Sequence, residues 1–379
     1  MYPALAVASE FLRRGPDEQG PSGAPAAGPG AVRDEVLWLG SVGGMEAELV
    51  QRAGLPFQAI HSRGVHGVGW RLPLNAVSLA RGFFEALRLV RTFRAEALLV
   101  TGGFVAVPVA LAAWLSRVPV VVYLPDLEPA LAIRAVSWLA RRIALTAGDS
   151  RRYFSASAAG KLVVTGYPVR PELTLATRAQ AVQQLSLDAQ RPTVLVTGGS
   201  RGARSLNRAV IAALPEWLKR CQVLHLSGQL DWAEVEQARA ALPAGLQEHY
   251  HALPFLHEMG WALAAADLAV SRAGASTLGE YPLFGLPAVL VPYPHAWRYQ
   301  KVNADYLAKR GAAIRVDDET LAIRLASVVQ DLLDDPMRLS QMRLAAQAAA
   351  MPGAARRIAG ELRALGQAQP PAPGVSNRP

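Results

Sequence analysis

The sequence predicts an α/β protein with two doubly wound, Rossmann-like domains that face each other across a cleft. Short β-branched runs alternate with Ala-, Leu- and Arg-rich helical stretches along most of the 379 residues. Continuous apolar runs of this kind are typical of parallel strands that are covered on both faces. The runs fall into two series, and glycine-rich turns follow several of them. The length agrees, because a chain of this size commonly forms two or three domains.

The first domain is predicted over residues 1–165 and the second over 166–345. The first series of strands comprises Val36–Leu39, Phe57–Ile60, Leu98–Thr101, Val120–Tyr123, Ile143–Ala147 and Leu162–Thr165. The second series comprises Val194–Thr197, Val223–Leu226, Leu268–Ser271, Val289–Pro292 and Ala313–Val316. A helix over 346–366 is expected to pack back on the first domain, and residues 367–379 are expected to be disordered.

The beginning of the chain departs from this pattern. Residues 4–13 have the periodicity of an amphipathic helix, and no strand precedes it, although the first strand of a doubly wound domain is usually central and carries a phosphate-binding loop. We therefore expect the reading frame to continue upstream of Met1. The Gly-, Pro- and Ala-rich stretch Arg14–Arg33 is expected to be a flexible loop.

Composition limits the classes of partner. The formal charge of +9 suggests an anionic partner, and phosphorylated metabolites, anionic lipid and nucleic acid all fit it. No nucleic-acid-binding module is recognisable, so nucleic acid is not expected as a partner. Cys221, the single cysteine, excludes an internal disulfide or a Cys-based zinc site, and neither a metal nor a cofactor is expected. No apolar stretch reaches the length of a spanning helix, so we expect a soluble or peripheral protein.

Glycine turns follow two strands of the second domain. Residues 197–204 (TGGSRGAR) place three glycines between a strand and a helix, which suits a phosphate at the helix N-terminus, although an empty tight turn is the alternative. Residues 271–280 (SRAGASTLGE) repeat the arrangement. Glu280, expected about one and a half turns inside the following helix, could accept hydrogen bonds from a sugar diol, and a solvated helix glutamate is about equally consistent with the sequence.

Further polar groups follow other strands. Gln300 and Asn303 are three residues apart on a predicted helix, where amides suit neutral hydroxyl groups. In the first domain Gly102 and Gly103 form another strand-to-helix turn, and Asp126 follows a strand. Because ligands of open α/β sheets bind at the carboxyl ends of the strands, these turns are expected to converge on one crevice.

The segment Trp70–Arg94 is basic and amphipathic, with aromatic residues among its arginines. One side must pack on the sheet. An exposed aromatic and basic edge would suit an anionic membrane surface, and packing alone is the alternative.

Together these motifs resemble the MurG family of N-acetylglucosaminyltransferases, which have the glycosyltransferase B fold. The resemblance extends from Tyr2 to about Arg363, without the Arg14–Arg33 stretch. It rests on an ordered set of motifs: 2–8 (YPALAVA), Gly40 with Met45-Glu46, 102–104 (GGF), 166–170 (GYPVR), 198–204 (GGSRGAR), 271–277 (SRAGAST) with Glu280, and 285–303.

The resemblance implies transfer of GlcNAc from UDP-GlcNAc to the C4 hydroxyl of undecaprenyl-pyrophosphoryl-MurNAc-pentapeptide, at the cytoplasmic face of the bacterial membrane and with inversion. It also implies donor-binding roles: Ser200 at the diphosphate, Arg170 near the hinge, Leu256 at uracil, Ala275, Ser276 and Thr277 along the nucleotide and phosphates, Glu280 at the ribose diol, and Gln300 at the GlcNAc hydroxyls. Gly102, Gly103 and Asp126 would lie on the acceptor side.

The sequence departs from the family in three places. The family's first strand and glycine loop, with the histidine proposed as general base, would lie upstream of Met1, so no catalytic base is assigned. Asp126 stands where many members have asparagine, and Tyr299 replaces the first of two glutamines. A related transferase with another acceptor, an inactive UDP-sugar-binding protein and a UDP-GlcNAc 2-epimerase therefore stay open as alternatives.

Overall fold

The computed structural model describes residues 1–12, 34–44, 46–62, 72–199, 202–295 and 298–368, without the side chains of 72–77. The predicted Arg14–Arg33 loop, Trp70 and nearly all of the predicted tail lie outside these residues. The chain divides into two compact units. The first unit contains Met1–Pro125, Pro129–Pro168 and Gly353–Pro379, and the second contains Asp126–Glu128 and Val169–Pro352.

In its described residues, the first unit contains two parallel sheets, one formed by β1 and β2 and the other in the order β3-β4-β5-β6. The strands are β1 (Trp38–Ser41), β2 (Phe57–Ile60), β3 (Leu98–Val100), β4 (Val120–Leu124), β5 (Arg142–Leu145) and β6 (Leu162–Val164). The helices are α1 (Tyr2–Leu12), α2 (Glu46–Arg52), α3 (Leu72–Phe93), α4 (Ala106–Leu115) and α5 (Leu131–Ser137), together with the C-terminal helix of the chain.

The second unit has one parallel sheet, whose strand order in the described residues is β12-β11-β10-β7-β8-β9. Its strands are β7 (Thr193–Thr197), β8 (Gln222–Leu226), β9 (Tyr250–Leu253), β10 (Leu268–Ser271), β11 (Ala288–Leu290) and β12 (Ala313–Arg315). Its helices are α6 (Arg178–Gln184), α7 (Arg204–Trp217), α8 (Trp232–Ala240), α9 (Ala244–Gln247), α10 (Met259–Ala265), α11 (Glu280–Phe284), α12 (Tyr299–Lys309), α13 (Leu321–Leu333) and α14 (Pro336–Ala348).

The C-terminal helix α15 (Ala354–Gln367) belongs to the first unit and packs against α1. Arg363 donates to the carbonyl oxygen of Glu10 at 3.1 Å and stacks its guanidinium over the Phe11 ring. Arg357 donates from two nitrogens to the carbonyl oxygen of Thr165. These contacts hold the end of the chain against α1 and against the segment that follows β6.

The core of the second unit explains why its strands are so apolar. Central strands β7 and β10 are buried along nearly their whole length, because helices cover both faces of the sheet. Helix α7 faces the sheet with residues spaced three or four apart, which is the period of a helix. These buried residues are Leu206, Val210, Leu214 and Trp217.

The predicted two-domain parallel α/β fold is confirmed, and the predicted strands match observed ones within a few residues. Strand β9 was missed. It lies at the edge of its sheet and alternates buried and partly exposed residues, with His251 on the more exposed side. This half-buried pattern breaks the continuous apolar run that marks the other strands. None of the described helices is long and apolar enough to cross a membrane.

The core of the second unit gives the first prediction. Leu214 is fully buried on α7, whereas Leu344 on α14 is 63% exposed. Leu214→Ala should lower the free energy of unfolding by about 2–5 kcal/mol, because it removes buried methyl groups and leaves a cavity. The matched Leu344→Ala should change it by less than about 0.5 kcal/mol. Urea denaturation measures both, and equal effects would contradict the assigned packing of α7.

Candidate functional site

The candidate site of the second unit lies where its strands end. Thr197 of β7 is level with Ser271 of β10 and with Leu226 of β8, so the turns after these strands start at one edge of the sheet. Leu290 of β11 is level with Ser271 on the other side. Parallel strands place their carboxyl ends together, and this edge is where open α/β sheets bind ligands.

The turn after β7 has a backbone that only glycine adopts easily. Gly199 and Gly202 have φ values of +87° and +80°. A Cβ at Gly198 would collide with Ala203, so the turn closes tightly on the start of α7. The first turn of α7 offers unpaired N–H groups and the positive end of its dipole, which together suit an anion. Ser200, the predicted phosphate contact, lies outside the described residues.

Arg272 holds three of these segments together. Its guanidinium donates to Asp318 at 2.6 Å and to the Ser205 hydroxyl at 2.7 Å, and Ser205 donates to Asp318 at 2.8 Å. The same guanidinium contacts the carbonyl oxygens of Val291 and Pro292, which follow β11. The side chain is nearly buried, so this cation links the turn after β10, the end of β11 and the first turn of α7.

Glu280 is the first residue of α11, after a short 3₁₀ turn over Ala275–Leu278. The expectation that it lies one and a half turns inside a continuous helix is wrong, because the backbone changes conformation at Gly279. Burial raises the pKa of Glu280 to about 7, although the Arg170 charge and a hydrogen bond from Ser276 act in the opposite direction. A half-buried carboxyl group with a raised pKa thus lies at the edge where the strands end.

The neighbouring residues of the 3₁₀ turn share this location. Thr277 is buried and donates its hydroxyl to the carbonyl oxygen of Gly274 at 2.7 Å, whereas Ala275 and Ser276 are half-buried. The structure therefore brings Arg170, Ser276 and Glu280 together, with Ala275 and Thr277 in the same turn. Leu256 lies elsewhere along the edge, after β9, half-buried between the exposed Phe255 and His257.

Gln300 and Asn303 both lie on α12, and the structure gives them different surroundings. The Gln300 side-chain oxygen accepts a hydrogen bond from the backbone N–H of Tyr293 at 2.8 Å, which fixes the segment before the helix. Asn303 is fully buried, donates to Asp126 at 2.8 Å and to the Ala273 carbonyl, and accepts from the backbone N–H of Leu127. These contacts argue against the predicted contact of Asn303 with a ligand hydroxyl, because its amide is already hydrogen-bonded to protein groups.

Asp126 was predicted on the acceptor side, and its described contacts are within the second unit. Burial raises its pKa, and the hydrogen bond from Asn303 partly offsets the effect. Glu128, two residues on, is almost completely buried and forms a two-point ion pair with Arg298 at 2.7 Å for both bonds. The short segment Asp126–Glu128 is thus held by α12 and the residue before it.

The glycine turn predicted in the first unit has a backbone that only glycine adopts easily. Gly102 and Gly103, after β3, have φ values of +111° and +88°, and Phe104 beside them is 55% exposed. Helix α4 begins at Ala106. A side chain at either glycine would strain the turn, since L-residues rarely adopt these angles. Like the turn after β7, it is a glycine turn between a strand and a helix, but it contains two glycines rather than three.

A polar pair in the first unit, His61 and Glu85, was not predicted from the sequence. His61, directly after β2, contacts the Glu85 carboxylate of α3 through its ring Nδ1 at 2.9 Å and through its backbone N–H at 2.8 Å. Partial burial disfavours the charged carboxylate, but these bonds and one from Arg81 lower the pKa of Glu85 to about 2. The two residues are 24 positions apart, a separation with no helical or strand period.

The described residues contain no group of three or more His, Cys, Asp or Glu side chains placed to hold a metal ion.

Fold and site define a two-domain glycosyltransferase. The N-terminal domain of glycosyltransferase family 28 matches residues 30–145, and the C-terminal domain of the same family matches residues 193–358. A UDP-N-acetylglucosamine--N-acetylmuramyl-(pentapeptide) pyrophosphoryl-undecaprenol N-acetylglucosamine transferase of Roseiflexus sp. (strain RS-1) is 42% identical, over 95% of this chain and 91% of that protein. The chain belongs to the MurG family, as its motifs predicted.

Other relatives agree. A protein of Moorella thermoacetica with the same name is 38% identical and matches 94% of each chain. The crystal structure of Acinetobacter baumannii MurG has a TM-score of 0.71 at 26% identity, covering 96% of this chain and 95% of that one. A UDP-GlcNAc 2-epimerase from Neisseria meningitidis bound to UDP-GlcNAc has a TM-score of 0.66 at 13% identity, over 96% of each chain, which shows a shared fold.

The raised pKa of Glu280 gives the second prediction. The pKa of Glu280 is about 7 in the folded protein and 4.5 ordinarily, so folding favours the protonated carboxyl group. Its contribution to the stability of the folded protein is therefore fully present below pH 4.5 and is lost as the pH rises through 7. Glu280→Gln, which cannot ionise, should therefore melt roughly 2–6 °C higher than the wild type at pH 8, and the difference should shrink towards pH 5.

Glu236→Gln, at an exposed position of α8, is the matched control. Its melting temperature should differ from the wild type by the same amount at every pH between 5 and 8. A Glu280→Gln difference that does not change with pH would show that the carboxyl group is not held at a raised pKa.

Proposed function

We propose that this chain transfers GlcNAc from UDP-GlcNAc to the C4 hydroxyl of undecaprenyl-pyrophosphoryl-MurNAc-pentapeptide, the step from lipid I to lipid II in peptidoglycan synthesis. Family membership and the names of the relatives support the reaction. The observation that carries the donor assignment is the position of Glu280, with Arg170 and Ser276, at the same sheet edge as the glycine turn before α7.

The donor is held by groups that suit each of its parts. The Glu280 carboxylate accepts hydrogen bonds from the two ribose hydroxyls, and the glycine turn and the start of α7 bind the diphosphate. The remaining roles follow the family pattern: Ser200 at the diphosphate, Arg170 near the hinge, Ala275, Ser276 and Thr277 along the nucleotide and phosphates, Leu256 at uracil through its backbone, and Gln300 at the GlcNAc hydroxyls. Gln300 must then share its amide between Tyr293 and the sugar.

The chemistry follows from this arrangement. The bond between the anomeric carbon and the diphosphate oxygen breaks, and UDP leaves with additional negative charge. The helix dipole of α7 and the backbone N–H groups of the turn stabilise that charge in the transition state. The acceptor O4 forms the new bond on the opposite face of the sugar, which inverts the anomeric centre, and it gives up its proton to a base. Gly102 and Gly103 are assigned to the acceptor lipid.

We also propose that the first unit docks on the anionic cytoplasmic face of the bacterial membrane as a peripheral enzyme. Helices α3 and α4 pack against each other and carry exposed apolar side chains, with Phe84 66%, Trp114 54% and Leu115 50% exposed. Arg88 and Arg91 are exposed on α3. Aromatic and basic side chains together suit the headgroup region of an anionic bilayer.

Donor binding gives the third prediction. The ribose hydroxyls favour the ionised form of Glu280, so binding of UDP-GlcNAc should release a proton. The dissociation constant should therefore fall about tenfold between pH 6 and pH 8, as expected for a group with a pKa near 7. Glu280→Gln should weaken binding at pH 8 at least tenfold and remove the pH dependence, and Glu236→Gln should retain it. Isothermal titration calorimetry with UDP-GlcNAc measures all three proteins.

The reaction is tested with radiolabelled UDP-GlcNAc and lipid-linked MurNAc-pentapeptide. A lipid product that contains both sugars is expected, with activity reduced in Glu280→Gln. UDP-GlcNAc bound no more tightly than ADP-glucose would contradict the donor assignment. Conversion of UDP-GlcNAc to its 2-epimer without a lipid product would indicate the epimerase instead.

Membrane docking gives the fourth prediction. Replacing Arg88 and Arg91 together by alanine should weaken binding to phosphatidylglycerol vesicles on the order of thirtyfold, since each basic residue near an anionic surface contributes about 1 kcal/mol. Phe84→Glu should also weaken binding, and high salt should weaken binding of the wild type. Vesicle sedimentation measures the bound fraction. Ile323→Glu, at an 83% exposed position of the second unit, is the matched control and should bind as the wild type does; equal loss in both Glu variants would contradict docking through α3.

A further inference from the structure

A chain of buried polar side chains lies under the glycine turn that precedes α7. His225 of β8 is fully buried, and its ring contacts the Tyr250 hydroxyl at 2.7 Å through Nδ1 and the Asn207 side-chain oxygen at 3.0 Å through Nε2. Asn207, on α7, is also buried. A buried polar group is costly unless it is hydrogen-bonded, and each of these groups has a partner.

The hydrogen-bond directions in this chain are determined by Asn207. Its amide nitrogen donates to the carbonyl oxygen of Ser227 at 2.9 Å and to Asp231 at 3.0 Å. Neither partner can donate in return, so the amide cannot be flipped, and its oxygen must accept from Nε2–H of His225. Nδ1 of the imidazole then accepts from the Tyr250 hydroxyl. Burial lowers the pKa of His225 to about 4, which keeps the ring neutral, and the two hydrogen bonds hold it in this tautomer.

The chain reaches the glycine turn at two points. The carbonyl oxygen of Ser227, which Asn207 holds, lies directly against Gly202, where a Cβ would collide with it. Asp231, nearly buried, accepts from Asn207 with one oxygen and from Nε of Arg204 at 3.0 Å with the other. Gly202 ends the turn and Arg204 begins α7, so one contact acts on the backbone at the end of the turn and the other on the first side chain of the helix.

We propose that His225, Asn207 and Asp231 are positioning residues that hold Gly202 and the first turn of α7 in the geometry that binds the donor diphosphate. This inference rests on the proposed function, because it assigns the diphosphate to that turn. The three residues do not touch the donor. They act through Ser227, Gly202 and Arg204.

Apolar side chains at these positions would pack without the cost of desolvating polar groups. The presence of polar side chains therefore indicates a role other than packing. A fully satisfied buried network favours one arrangement of its members, because any shift leaves a donor or acceptor unpaired. The turn itself has little of its own to fix it, since glycines at positive φ are conformationally permissive. The buried network beneath the turn therefore supplies the rigidity that these glycines do not.

A second buried polar group on the same strand provides a matched control. Gln222 is at the opposite, amino end of β8, is also fully buried, and bonds to the Asp188 carbonyl at 2.7 Å and the Thr193 hydroxyl at 3.0 Å. Gln222→Leu removes a comparable set of hydrogen bonds at the far end of the strand from the glycine turn. It reports the effect of a destabilised sheet without a displaced turn.

The test compares the affinities for UDP and for uridine in the full-length chain. His225→Leu and Asp231→Asn should each raise the dissociation constant for UDP about tenfold and change that for uridine less than twofold, because uridine has no diphosphate. His225→Gln, which retains one donor and one acceptor, should bind UDP within about threefold of the wild type. Gln222→Leu should lower the melting temperature and leave both constants unchanged.

Three outcomes overturn the inference. If UDP and uridine lose affinity in parallel, the network supports the whole unit rather than the turn. If Gln222→Leu weakens UDP binding as His225→Leu does, general destabilisation explains the effect. If the variants bind UDP as the wild type does, the turn needs no support. A wild type that fails to bind UDP would overturn the proposed function itself, and is thereby distinguished from the other results.

Discussion

The hydrogen-bonded register of the parallel strands in the second unit decides where the glycine turn before α7 and the turn before Glu280 lie. Because β7, β8, β10 and β11 are paired with their carboxyl ends level, the turns that follow them begin side by side. The strands are apolar and covered on both faces, so they offer no place for a polar ligand along their length. Polar chemistry is therefore confined to the edge, and the helices that start there add their positive ends.

Holding that edge together requires two charged side chains that are nearly buried, Arg272 and Glu128. Arg272 links three segments, and the Arg298–Glu128 pair fixes the short segment next to α12. Removing one partner from such a pair leaves a buried charge without compensation, which costs far more than the pair contributes to stability. These interactions are thus better understood as constraints on geometry than as sources of stability, and the same holds for the His225 network.

The sequence predicted the strands well because a buried parallel strand has a local signature, a continuous β-branched run with a glycine turn behind it. It also predicted that Glu280 and the turn after β7 share an edge, since this follows from strand order. It could not predict that Asn303 is occupied by Asp126, which is 177 positions away, or that His225 is hydrogen-bonded to Asn207. Such pairings depend on tertiary packing, and no periodicity or composition encodes them. The break between the 3₁₀ turn and α11 was missed for a related reason, because Gly279 allows either continuation.

Glu280 lies at this fixed edge and shows what it costs to place a polar group there. A carboxylate whose pKa is raised by burial destabilises the folded protein at neutral pH, and a glutamine of the same size would avoid that cost. Hydroxyl groups of a ligand can restore the lost hydration, since a carboxylate accepts several hydrogen bonds. Under the proposed function, binding of the ribose diol would offset this cost, and Glu280 should then favour a ribose over a deoxyribose. On that proposal, stability and binding place opposite demands on this position, because glutamine would suit stability and glutamate suits the diol.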